Sequence, residues 1–439
     1  MQLGMLPDAS QYLVYEPRFL DPDAPEGLWL CTDAEDAAAV EINAACLAAG
    51  VPWEALRLCR TFFEAFSCVL VVGADSARRA ALADALRRQV PSVEVCVTAQ
   101  SAYLGCGSVR ELRETHGLER VERLWEDAEE LPPYGLVEMS SVEAVDISHQ
   151  PHARSGIPGL DQLIGGLYEG ELSLWTGKRK EGKSTLLGLP ILSALREGRR
   201  VCVYSGELPT WRYKAWLLAM AAGPDYLLEE ATDTGKSVWV PRPEIARQVD
   251  LWWKRRLFQF DHRAADIHKP EVLLGIMRYA WKRYGCSVFV VDNLMTVDLT
   301  GEDYYRAQSR FVGQLVDFSH ETKAHVHLVA HRRKGGTSKG SKGDSDDVSG
   351  SGDLTNRADN VFAVSRAEDD ETLYDARLEI LANRDFGATG TLLLHFDVRS
   401  RRYYASTPNW RCGWEPEHLA QETLKPFQEL TGPDADNPF

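Results

Sequence analysis

The sequence predicts an α/β protein built as two parallel-sheet units, a smaller one followed by a larger one. Three observations carry this. Short apolar runs alternate with longer helical patterns, as strand–helix–strand crossovers require. A glycine-rich loop sits between one such run and one such helix. A polar, weakly periodic stretch separates the two series. The boundaries fall at 1–130 for the first unit, 131–155 for a linker with room for one helix, 156–410 for the second unit and 411–439 for a tail.

In the first unit "GLWLC" reads as a strand, followed by an Ala-rich helical run from Asp33 to Gly50. "CVLVVGAD" is a second strand, followed by the helix "SARRAALADALRRQV", and "SVEVCV" is a third. A charged helical stretch from Ser108 to Leu131 ends at "PPYG". In the second unit the strand candidates are "LSLWT", "RVCVYS", "SVFVVD", "HVHLVAH", "NVFAVSR" and "ARLEILAN". No internal repeat is present in the sequence.

At 439 residues, with 44% hydrophobic and 26% charged residues, the chain has the composition of a soluble, cytoplasmic, globular protein. It has no apolar run long enough to span a membrane and no N-terminal signal pattern. Nine scattered cysteines without a CxxC pair argue against a disulfide framework or a structural zinc site. A net charge of −16 lowers the expectation of nucleic-acid binding, although a local basic surface suffices for it.

Gly177-x-x-x-x-Gly182-Lys183-Ser184 is a complete phosphate-binding loop between a strand and a helix. Glycines let backbone N–H groups close around phosphates at a helix start. Lys183 would reach the β- and γ-phosphates of ATP, Ser184 would ligate Mg2+, and Thr185 follows in the same turn. Pro190 should kink or shorten the helix. Asp292 ends an apolar strand, the place for a carboxylate in second-sphere contact with magnesium; a turn-capping Asp is the plainer reading. Glu207 follows "RVCVYSG" and could polarise an attacking water, or be a surface Glu. Lys178, Arg179 and Lys180 read as a solvated face.

The blocks "GIPGLDQLIGGLYEGELSLWTGKRKEGKSTLL", "VYSGEL", "FVVDNL", "HLVAHRRKG", "GSGDLTNRADNVFAV" and "LEILANRDFGATGTLLLHFD" resemble ring-shaped replicative DNA helicases of the DnaB, Twinkle and phage helicase-primase family. The resemblance covers roughly 155–404 and implies a RecA-like P-loop NTPase core. It implies an ATP-dependent helicase (ATP-binding, hydrolase, DNA-binding) that moves 5′ to 3′ on single-stranded DNA in replication as a hexamer. It places His331 at a γ-phosphate sensor and Arg384 at an arginine finger that serves the neighbouring subunit. Ala382 stands where bacterial relatives carry a second, lysine finger. It also puts Arg332, Arg333, Lys334, Lys339 and Lys342 on a loop that grips the DNA backbone, against the plainer reading of a solvated loop. Tyr403 is implied as a stacking surface for the base, with a core or edge-strand tyrosine nearly as good a reading.

The first unit resembles a Toprim (primase-like) domain that has lost metal ligands. Thr32 and Asp33 stand at its Glu-Gly positions, Gly73 stands at its first Asp, and Asp36 and Asp75 remain. A scaffold without primase activity is expected, with Asp36 and Asp75 surviving at helix starts. The acidic tail "TGPDADNPF" resembles tails that dock replisome proteins, or is a frayed end. Two other readings stay open: a RadA- or KaiC-type ATPase, which shares "SGIPGLDQLIGG", and an ATP-binding DNA scaffold or loader that does not unwind.

Overall fold

The computed structural model describes residues 9–14, 27–40, 43–144, 146–299, 304–331, 352–367, 373–405 and 411–415. The chain divides into two compact units, Met1–Val145 and Asp146–Phe439.

Unit 1 is a six-stranded sheet: β1 (Leu13–Val14), β2 (Gly27–Cys31), β3 (Ala44–Leu47), β4 (Cys68–Val72), β5 (Glu94–Thr98) and β6 (Ala128–Leu131), in spatial order β1-β3-β2-β4-β5-β6. β2 to β5 are parallel, and the edge strands β1 and β6 run antiparallel. The crossovers carry α1 (Ala34–Val40), α2 (Arg60–Phe63), α3 (Ser76–Gln89), α4 (Val109–His116) and α5 (Leu118–Glu126). Leu56, Phe63, Leu82 and Leu86 pack on one face, and Leu112, Val121 and Leu124 on the other. The strands are therefore buried on both sides, which is why "CVLVV" is apolar without alternation. The strand order reverses between β2 and β4, the place where doubly wound sheets open a crevice.

Two helical readings need correction here. The Ala-rich run is helical only over Ala34–Val40, and its second half is the strand β3. Alanine favours a helix in isolation, but Ala45 and Cys46 gain burial and pairing between β1 and β2, and that tertiary gain wins. The charged stretch is two helices broken at Gly117 (φ +82°), and its end is the strand β6. Among its described residues the linker region holds no α-helix, but short 3-10 turns at Met139–Ser141 and Ile147–His149 and the two-residue strand His152–Ala153.

Unit 2 opens with the small pair β7 (His152–Ala153) and β8 (Leu167–Tyr168) around α6 (Pro158–Ile164). Its main sheet contains β9 (Leu172–Thr176) and β10 (Val201–Ser205). A separate hairpin, β11 (Leu227–Ala231) and β12 (Ser237–Pro241), intervenes before β13 (Leu257–Gln259), β14 (Val288–Asp292) and β15 (His325–Val329). β16 (Asn360–Arg366), β17 (Ala376–Asn383), β18 (Gly390–Asp397) and β19 (Arg402–Tyr404) complete it. The order β13-β10-β14-β15-β9-β16-β17-β18-β19 puts the phosphate-loop strand β9 at the centre. β13 to β16 are parallel in space and β17 to β19 are antiparallel.

The helices are α7 (Lys183–Leu186), α8 (Gly188–Arg196), α9 (Thr210–Ala222), α10 (Pro243–Trp252), α11 (Pro270–Tyr284), α12 (Tyr304–Thr322) and α13 (Gly352–Arg357). α8, α9 and α10 bury one face of the sheet and α11 and α12 the other. Pro190 sits in the first turn of α8, where its missing N–H breaks no bond, and the helix is interrupted at Leu187 as expected. No described helix is long and apolar enough to cross a membrane.

Candidate functional site

The six strand candidates of the second unit's sequence all form, and five of them run parallel and end at one edge of the sheet. β9 delivers Gly177 there, β10 Glu207, β14 Asp292 and β15 His331. Gly177 has φ +150°, and a Cβ on it would stand 2.2 Å from the Val364 carbonyl oxygen. Gly182 has φ +89°, and a Cβ there would stand 2.1 Å from Tyr403 Oη. Both positions admit only glycine. Lys183 is 4% exposed, and its Nζ donates to the Gly177 and Lys178 carbonyls at 2.9 and 2.6 Å. Burial lowers its pKa, opposed by the charges of Glu181, Asp292 and Glu207. Lys178, Arg179 and Lys180 are exposed, as a solvated face.

Asp292 is 4% exposed, and burial holds its carboxyl up at about 6, against a lowering hydrogen bond with Ser184. Its Oδ1 is buried without a hydrogen-bond partner among the described residues. An unsatisfied carboxylate oxygen facing a hydroxyl at the foot of a phosphate loop is a donor set suited to Mg2+. Next to it, Glu207 Oε1 accepts from Asn293 Nδ2 at 2.6 Å, and His331 Nε2 lies 3.5 Å from the same oxygen. Asn293 Nδ2 is also 3.2 Å from His331 Nε2. Burial and Lys183 keep the His331 pKa below its ordinary value, so the ring is neutral near pH 7. Asn293 had no role in the sequence reading, yet it joins Glu207 to His331. Its one available signal was its place directly after the strand-end Asp292.

Gly182, Lys183, Ser184, Glu207, Asp292 and His331 line a cavity of about 550 Å³. Its far half is built by Trp216, Arg366, Asp375, Phe396, Arg401 and Tyr403. Tyr403 is only 9% exposed, its ring packs on Phe396 at 4.8 Å, and burial pushes its hydroxyl up to about 12. Its hydroxyl abuts the phosphate loop, so much of its surface serves the core. The Arg401 guanidinium lies 3.8 Å above the Trp216 ring, and its backbone has φ +58°. Its Nε is buried without a partner among the described residues. Trp216 and Arg401 come from α9 and from the β18–β19 turn, so their meeting leaves no mark in sequence spacing.

Arg384 is not part of this cavity. It follows β17, whose last residue Asn383 pairs with Asn360, itself level with Ser173 near the start of β9. The phosphate loop leaves β9 at the other end, roughly 13 Å of strand away at about 3.3 Å per residue. Arg384 Nη1 pairs with Asp359 at 3.0 Å, and Asp359 accepts from the Leu172 N–H of β9 at 2.8 Å. Arg332, Arg333, Lys334, Lys339 and Lys342, and the acidic tail, lie outside the described residues.

In unit 1 the β2–β4 crevice is filled. Arg79, 5% exposed, donates from Nη1 to the Gly73 carbonyl and from Nη2 to Gln100 Oε1 at 3.0 Å, with its guanidinium 4.7 Å from the Tyr103 ring. Tyr103 Oη in turn accepts from Gly73 N–H at 3.2 Å, and a Cβ on Gly73 would run into Thr32. Asp36 Oδ1 accepts from the Val109 and Arg110 N–H groups that open α4, at 2.8 and 3.1 Å. Asp75 caps α3 through the Ala77 and Arg78 N–H groups. A guanidinium in the crevice and carboxylates spent on helix starts do not fit a metal ion there.

Residues 136–337 match the family model AAA_25, described as an AAA domain. Unit 2 thus carries a RecA-like P-loop ATPase domain, consistent with its sheet order and loop. Among solved structures, the chain is similar to a DnaB-like replicative helicase studied with primase, at 15% identity and TM-score 0.50, over 75% of this chain and 78% of that one. An isolated ATPase domain matches at 16% identity and TM-score 0.49, over 58% and 91%. A KaiC-like protein from Pyrococcus horikoshii OT3 matches at 17% identity and TM-score 0.42, over 58% and 98%. At these identities the likeness describes fold.

Proposed function

We propose that the protein is an ATP-dependent DNA helicase that moves along single-stranded DNA as a homo-oligomeric ring, a hexamer by its sequence resemblance, with a first unit that has become a Toprim-like scaffold without primer synthesis. One observation carries this reading. Glu207, Asn293, His331 and the phosphate loop converge at one sheet edge while Arg384 stands at the other. Arg384 is out of reach of its own copy's nucleotide cavity, which supports reading it as a finger offered to a neighbouring copy.

In this mechanism the loop amides and Lys183 bind the triphosphate, and Lys183 leaves its own loop carbonyls for the β- and γ-oxygens. Ser184 and Asp292 would hold Mg2+, which neutralises phosphate charge when bound. Glu207 accepts a proton from the attacking water, held in place by the Asn293 amide. His331, neutral and within reach of Glu207, senses whether the γ-phosphate is present and passes that state to the loop carrying Arg332, Arg333, Lys334, Lys339 and Lys342. Arg384 of one copy stabilises charge on the phosphoryl group bound by the next.

The test is steady-state ATP hydrolysis with and without single-stranded DNA, followed by unwinding of a tailed duplex. Strong stimulation and unwinding are expected. Nucleotide binding with negligible DNA-stimulated turnover would instead favour the scaffold or KaiC-type reading.

A further inference from the structure

α12 has a face that the nucleotide site does not use. The helix buries Phe311, Val312, Leu315 and Phe318 and turns Arg306, Arg310, Gln314 and Asp317 to solvent. Those exposed positions recur every three or four residues and share one side. α13 lays Arg357 across that side, where its Nε donates to Ser309 Oγ at 3.2 Å. Gly313 makes room for it: a Cβ there would stand 3.0 Å from Arg357 Nη1. Glycine is disfavoured inside a helix, and here it leaves room for the Arg357 guanidinium against the helix.

Between the two helices runs a groove of about 410 Å³ lined by Arg306, Arg310 and Arg357, with Asp317 as the acid among its described lining residues. At the start of α12, Tyr304 and Tyr305 are 37% and 42% exposed, with ring centroids 6.0 Å apart. Guanidinium groups gathered along one groove favour a ligand carrying negative charge. Guanidinium forks match phosphate oxygens, and exposed rings offer stacking surfaces to unpaired bases.

We propose that the α12–α13 groove is a binding track for single-stranded nucleic acid, in which Arg306, Arg310 and Arg357 take successive phosphates and Tyr304 and Tyr305 stack bases. The inference rests on the helicase reading and adds a contact outside the basic loop.

The experiment is fluorescence anisotropy of a labelled oligothymidylate with the full chain, from about 50 to 200 mM salt. The wild type is compared with the Arg310→Ala/Arg357→Ala double variant and with Tyr305→Ala. The double variant should bind more weakly, and its slope of log affinity against log salt should be shallower by about 1.4, about 0.7 for each lost phosphate contact. Tyr305→Ala should weaken binding with the salt slope kept. Binding of a fluorescent ATP analogue should be unchanged in both. Wild-type affinity and slope in the double variant would overturn the groove while leaving the helicase reading in place. Loss of DNA binding together with loss of the oligomer in light scattering would also overturn it, by making the groove a subunit contact. A wild type that binds ATP analogue but no oligothymidylate would remove the helicase reading and the groove with it.

Discussion

At the carboxyl edge of the unit 2 sheet, Gly182, Lys183 and Asp292, with its unsatisfied oxygen, line an open cavity. At the corresponding edge of unit 1, between β2 and β4, the chain's own Arg79 is stacked on Tyr103 and bonded to Gly73 and Gln100. Both are doubly wound parallel sheets, and both have the crevice that such sheets offer. The difference lies in a few side chains. In unit 2 polar groups are left short of partners at the place a ligand would supply them. In unit 1 Arg79, Tyr103, Gln100 and the Gly73 backbone satisfy one another, and the aspartates are spent on helix starts. Fold supplies the place and the side chains decide its use.

The comparison can be broken most sharply at the nucleotide edge. Arg384→Ala should lower DNA-stimulated ATP turnover by about 10³ to 10⁵ while the protein still binds a fluorescent ATP analogue. A smaller loss, within ten-fold, would mean that Arg384 belongs to its Asp359 ion pair alone. Glu207→Gln should lower turnover by about 10² to 10⁴ and leave nucleotide affinity within a few-fold. An equal loss of affinity would make Glu207 a binding group.

Unit 1 should respond in stability instead. Arg79→Ala leaves the Gly73 carbonyl and Gln100 without their donor in a buried site, which costs about 2 to 4 kcal/mol. Differential scanning calorimetry should show the unit 1 transition lowered and ATP turnover unchanged. An unaffected transition would show that the crevice is held closed by other contacts.

The last expected effect concerns the polar layer at the start of β9 and β15, where His325 lies beside Ser173. His325 donates from Nδ1 to the Tyr168 carbonyl at 2.7 Å, and burial holds its pKa down at about 4. An unfolded chain takes up that proton near pH 6.5 and the native one does not until about pH 4. Unit 2 therefore loses stability as pH falls through this window, by about 1.4 kcal/mol per pH unit for one such group. His327, also buried and lowered, acts in the same direction. The thermal midpoint should fall between pH 6.5 and 4.5, and less steeply in His325→Gln. A pH-independent difference between the two proteins would contradict this account.

What sequence reading could and could not see follows the same physics. The loop from Gly177 to Ser184 is contiguous, so its chemistry is written in one line, and Asp292 and Glu207 are found because they end apolar strands. β3 was hidden because Ala44 and Ala45 carry no strand preference of their own, and their burial comes from pairing with β2 and from the side chains packed on both faces of the sheet. β13 and β19 escape notice because they are three residues long and take their pairing from neighbours. Asn293, Trp216 and Arg401 become site residues only when β14, α9 and the β18–β19 turn converge, and no spacing announces that. Arg79 looked like one basic residue on a charged helix, and its burial at 5% is a tertiary fact.

The central claim, that a complete catalytic site is shared between two copies of the chain, is tested most directly by mixing two inactive variants. Lys183→Ala removes a copy's own phosphate contact but keeps its finger. Arg384→Ala keeps the phosphate loop but removes the finger offered to a neighbour. Each alone should be nearly silent in basal ATP hydrolysis. The account predicts that turnover reappears when they are mixed and allowed to exchange subunits, because some interfaces then pair an intact loop with an intact finger. Mixed oligomers that form by light scattering yet hydrolyse no ATP would contradict a shared site.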